Sequence, residues 1–137
     1  MIVAYKHSQS RLSDVTMNTA EHPLDKTFEE LYQERTEVLF RAGQSVSRIL
    51  SRMTRVDEAI HSAQKELTRQ GIHYPTHRGL DHINTLIDEY NKLRDEAKLR
   101  YYYLIVTRES IGFLRHDWVE KFYPVPARKK PVENASE

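Results

Sequence analysis

Three features of this 137-residue sequence predict an all-α fold, a long antiparallel two-helix coiled-coil hairpin. Apolar residues recur at alternating spacings of three and four along two long stretches, the period of one helix face. No proline interrupts residues 24–70, and Gly43 is their one glycine. A segment rich in helix breakers, with Gly71, Pro75 and Gly79, separates the two stretches.

Composition narrows the class. Hydrophobic residues make up 39% and charged residues 30%, enough apolar content for a core and too much charge for a membrane span. Basic and acidic residues number 21 and 20, so gross charge announces no nucleic-acid partner. The sequence contains no cysteine, which removes disulfides, thiolate zinc sites and a cysteine nucleophile from consideration. The apolar start Met1-Ile-Val-Ala-Tyr5 turns polar at Lys6, too soon for a secretory signal, and a cytoplasmic location is expected.

Residues 1–22 read as a polar N-terminal arm. A hairpin over residues 23–122 follows, and its first helix is expected over about residues 24–70. His22 precedes a proline and is pushed out of the α region, whereas Pro23 suits a first turn. Asp25, Glu29 and Glu30 complement the positive end of the helix dipole. Leu39, Ala42, Val46, Ile49, Met53, Val56, Ile60, Ala63 and Leu67 form a heptad seam, which runs back through Arg35 and Tyr32 to Phe28. Such a helix would be roughly 70 Å long.

A loop over about residues 71–79 comes next, with Gly71 at a helix C′ position and Pro75 unable to continue the helix. The second helix is expected over about residues 80–122, up to Tyr123-Pro124-Val125-Pro126. Its stripe is Leu80, Ile83, Ile87, Tyr90, Arg94, Ala97, Tyr101, Leu104, Arg108, Ile111, Arg115 and Trp118. Laid antiparallel, Ala63 meets Ile87, Met53 meets Ala97 and Val46 meets Leu104, so small side chains face large ones in some layers. Residues 123–137 form a tail punctuated by proline with a basic knot at 128–130, readable as an extended docking segment or as a disordered end.

Two helices bury only one stripe each, and this sequence has more apolar surface than that. Tyr101-Tyr-Tyr-Leu-Ile-Val106 cannot all face one partner at about 100° per residue. Leu50, Leu86, Leu93 and Phe113 also lie off the seam. Something must cover them: a second copy completing a helical bundle, the N-terminal arm, or another protein. The interface residues predicted on this basis are Leu99, Tyr102, Tyr103, Ile105, Val106 and Phe113, with Trp118, Phe122 and Tyr123 at the open end.

Two polar constellations stand out. Arg108, Glu109, Arg115 and His116 gather near the open end beside the small residues Ala42, Gly43 and Gly112, and could line a small-ligand or anion pocket. The plainer reading is an ion-pair network, with Glu34, Glu37, Glu109, Asp117 or Glu120 supplying carboxylates to the seam arginines, or a seam splayed so that the arginines reach water. Arg41, Arg48, Arg52 and Arg55 form a basic stripe along the first helix, as a phosphate-binding face would. Here the plainer reading is salt bridging to Glu89, Asp95 and Glu96 on the neighbouring helix, or plain solvation of the face. His73, His77 and His82 cluster near the loop with spacing too loose for a metal site.

The expected function is therefore a non-catalytic protein–protein interaction or scaffold module. Its partner is a second copy, as a homodimer, or a different protein. The alternatives are a nucleic-acid-associated regulator using the Arg41/Arg48/Arg52/Arg55 stripe and a small-ligand-binding helical bundle. No cofactor, metal or membrane span is expected.

Overall fold

The structure, a computed structural model, describes residues 23–69 and 77–133. Its helices are α1 (Pro23–Arg69), α2 (His77–Ile111) and α3 (Asp117–Phe122). The chain divides into two units, Met1–Val38 and Leu39–Glu137, and α1 contributes to both. In the first unit Asp25 stands in the opening turn of α1, where a carboxylate complements the helix dipole. Leu24, Phe28, Leu31, Tyr32 and Val38 are exposed there, and Tyr32 is 73% exposed.

The second unit is the helical hairpin. On α1 the heptad residues Val46, Ile49, Met53 and Ile60 are buried, and Leu39, Ala42, Val56, Ala63 and Leu67 pack half-buried around them. On α2 the stripe residues Leu80, Ile83, Ile87, Tyr90, Ala97 and Leu104 are buried in turn. The seam is thus the one the 3-and-4 spacing predicts. α2 starts at His77, so Gly79 lies inside the helix rather than in the loop, and residues 70–76 lie outside the described residues.

The second helix does not run to residue 122. It stops at Ile111, and the cause is Gly112, whose φ of 105° is a backbone conformation that side-chain-bearing residues rarely adopt. Two hydrogen bonds close the end: the Gly112 N–H donates to the Glu109 carbonyl (3.0 Å) and the Phe113 N–H to the Arg108 carbonyl (2.9 Å). This is the Schellman pattern, with Gly112 at C′. The chain then turns into α3, which places Val119 beside Val46 and Leu104 with no exposed surface.

Beyond α3, residues 124–133 carry no regular secondary structure and run back along α2 as a strap. Two asparagines hold it by its main chain. Asn91 Nδ2 donates to the Lys129 carbonyl (2.9 Å) and Asn91 Oδ1 accepts from the Lys129 N–H (2.8 Å). Asn84 makes the same pair of bonds with Val132, at 3.1 and 2.8 Å. The spacings match. Seven residues of α-helix and three of extended chain both advance by about 10 Å. Arg94 Nε donates to the Pro126 carbonyl, and Arg128 grips both oxygens of Asp95 at 2.9 Å. Lys129 places its ammonium 2.6 Å from Asp57 on α1 and 4.8 Å from the centre of the Tyr90 ring.

The strap supplies part of the missing cover. Val125 and Val132 pack on the cluster containing buried Leu93 and half-buried Leu50 and Leu86. Leu50, Leu86 and Leu93, which lie off the seam, thus belong to a cluster that the tail packs on, whereas Phe113, Tyr102, Tyr103 and Val106 stay exposed. The N-terminal arm, 1–22, lies outside the described residues.

Candidate functional site

Three surfaces of the second unit carry the residues singled out from the sequence. The first is the outer face of α2. Leu99, Tyr102, Tyr103 and Val106 recur at spacings that place them within about 100° of arc, opposite the buried residues Ala97, Leu104 and Arg108. They are between 42% and 61% exposed. The rings of Tyr102 and Tyr103 lie side by side, their centres 6.2 Å apart and their planes tilted by 54°. Phe113, Trp118 and Phe122 are also exposed, and Trp118 meets Phe122 edge to face. Two residues of the predicted interface set turn inward instead: Ile105 and Tyr123 pack half-buried against the cluster of Val46, Leu104 and Val119.

The second is the end of α2, where Arg108, Glu109 and His116 come together. Arg108 is 6% exposed, and its guanidinium lies between the rings of Phe113 (5.2 Å) and Trp118 (4.8 Å). Its Nη2 donates to the Arg115 carbonyl at 2.9 Å and its Nε to His116 Nδ1 at 3.3 Å. An arginine N–H can only donate, so Nδ1 accepts, and the imidazole proton sits on Nε2, which faces Glu109 Oε1 at 3.1 Å. The buried arginine is therefore satisfied by a carbonyl, an imidazole and two aromatic faces rather than by a direct carboxylate partner. Arg115 contributes its main chain, and its side chain is exposed. The arrangement ties the loop after Gly112 to the helix end, where a cation also complements the dipole.

The third is the basic stripe of α1. Arg48, Arg52 and Arg55 are exposed on one helix face with Gln44, Ser47 and Ser51, and the six line an open cleft of about 450 Å³. Among the described residues, neither Asp95 nor Glu96 pairs with Arg48, Arg52 or Arg55. Asp95 pairs with Arg94 and Arg128, and Glu96 pairs with Arg100. Among the described residues no ion pair reaches Arg48, Arg52 or Arg55, although Glu58 stands three positions beyond Arg55. Arg41 differs, for it has an interaction of its own.

Of the loop histidines, His82 is exposed on α2 and His73 lies outside the described residues. Among the described residues, no three histidine, aspartate or glutamate side chains converge as metal ligands would. No described helix is long and apolar enough to cross a membrane. The feature that sequence reasoning missed is the pair of asparagine clamps. Its signal is the seven-residue spacing of Asn84 and Asn91, which places both on one face of α2. Comparison with protein-family models, with curated proteins and with solved structures finds no match to the chain.

Proposed function

We propose that this protein is a non-catalytic interaction module that associates with a second copy of itself through the outer face of α2. One observation carries the reading: Leu99, Tyr102, Tyr103 and Val106 form a contiguous exposed band on the side of α2 opposite its core. Aromatic and apolar side chains exposed side by side, rather than scattered singly, are the kind of surface that marks a contact site. Tyrosine favours such a role because its ring gives a large contact area with little rotamer freedom to lose. A twofold axis across the band would set the two tyrosines of one copy against those of the other, the self-complementarity that a closed dimer requires.

Size-exclusion chromatography with light scattering tests the reading. The natural protein is expected to elute with the mass of a dimer. Tyr102→Ala combined with Val106→Asp is expected to give the monomer mass with unchanged helical circular dichroism. A monomeric natural protein, or a double variant that remains dimeric, would overturn the assignment of this face.

A further inference from the structure

We propose that the arginine face of α1, centred on Arg48, Arg52 and Arg55, binds the phosphate backbone of a double-stranded nucleic acid. This surface is separate from the aromatic band of α2 and does not depend on it.

The argument starts from spacing. Positions 48, 52 and 55 are four and three apart, so the three side chains leave α1 within about 60° of arc and over about 10 Å along its axis. Three like charges so close repel one another, and a folded protein ordinarily sets carboxylates among them. Along α1, Glu58 stands three positions beyond Arg55 and within one turn of it, and among the described residues no ion pair joins the two. Asp57, two residues beyond Arg55, holds Lys129, and Asp95 and Glu96 hold Arg128 and Arg100. Asp57 stands about 200° around α1 from Arg55, so it faces the strap rather than the stripe.

The side chains around the arginines identify the ligand. Gln44, Ser47 and Ser51 line the same cleft and offer neutral N–H and O–H donors, and among the described residues no carboxylate lines it. Guanidinium groups with neutral donors beside them are the set that binds phosphate oxygens, with arginine able to grip two at once. Between Gln44 and Arg55 there is no aromatic side chain on which an unpaired base could stack, which favours a duplex backbone over a single strand. Among the described residues the cleft has no apolar side chain to insert among lipid tails, which disfavours a membrane surface.

The test is fluorescence anisotropy of a short labelled duplex titrated with the full chain at several salt concentrations. Three phosphate contacts give a slope of log K against log salt of about −2.7, so affinity should fall about 40-fold between roughly 50 and 200 mM salt. Arg48→Gln, Arg52→Gln and Arg55→Gln together should abolish binding at the lower salt. The corresponding lysine triple variant should keep the slope, which separates loss of charge from loss of fold. No binding of the natural protein at low salt would overturn the proposal. So would an unchanged slope in the glutamine variant, or tighter binding to phosphatidylserine-containing vesicles than to the duplex.

Discussion

Gly43 is buried on α1, and the residue packed against it explains why nothing larger stands there. A Cβ at this position would lie 2.7 Å from the Tyr123 hydroxyl, closer than real Cβ contacts come, but 3.6 Å from the ring carbon bearing that hydroxyl. Two effects then compete in Gly43→Ala. Alanine favours a helix interior by about 1 kcal/mol over glycine, whereas overpacking costs about 1–3 kcal/mol. The clash should win while the hydroxyl is present, so Gly43→Ala is expected to destabilise the natural protein. In a Tyr123→Phe background the contact becomes an ordinary one, and the same substitution should stabilise by up to about 1 kcal/mol. Urea unfolding of the four proteins measures this, and one sign in both backgrounds would show that the hydroxyl is not the obstacle. Arg108 makes a related point about reading polar residues. Its need for partners follows from burial alone, but their identity depends on a loop whose path Gly112 sets.

At the scale of elements, α3 alters the chemistry of the helix it packs beside. The phenol of Tyr101 on α2 is pushed above its ordinary value of 10.0, mainly by burial and then by the Glu120 carboxylate of α3, with Arg108 pulling the other way. A phenol harder to ionise in the folded state than in the unfolded one contributes stability that is complete below pH 10.0 and lost as pH rises through the folded value. Ultraviolet difference titration should therefore show a late phenol step that is lost in Tyr101→Phe. Glu120→Gln should shift it part of the way down, and an unshifted late step would remove Glu120 as a cause. The same elements show what was legible in the sequence. The seam could be read because burial follows the helical period, which the positions of Val46, Ile49, Met53 and Ile60 spell out directly. The end of α2 could not, because Ile111, Arg115 and Trp118 keep the spacing of the stripe beyond Gly112. A positive φ has no periodic signature. The strap was hidden for a different reason. Its proline-and-lysine composition resembles a free tail, and its binding depends on main-chain atoms reached from 38 and 48 residues away.

For the molecule as a whole, a formal net charge of +1 hides how the charges are arranged. Arg128 and Lys129 of the tail neutralise carboxylates on both long helices, and the arginines of α1 are left facing outward. The stripe itself was plain in the sequence. That no ion pair reaches Arg48, Arg52 or Arg55 among the described residues was not, because no local pattern says which of several nearby acids a given base will take. The aromatic band was legible for the converse reason: six consecutive apolar residues on a helix must expose some of their number.

The strap also bears on how long the folded state lasts. Its anchors join the tail to positions 38 and 48 residues earlier and to Asp57, and they need α1 and α2 already side by side. Contacts that close large loops are made late, after the helices have formed and paired. Contacts absent from the transition state slow escape from the native state without hastening its formation. Replacing both clamps, Asn84→Ala with Asn91→Ala, removes four hydrogen bonds. At a net loss of about 2 kcal/mol, unfolding should accelerate about 30-fold while the folding rate barely changes. Stopped-flow measurements across a denaturant series read the two rates separately. Slower folding with unchanged unfolding would place the strap in the folding nucleus instead. If unfolding is the rate that moves, two asparagines gripping an extended peptide govern the lifetime of the hairpin, and the height of the exit barrier is set by residues that contribute little to the core.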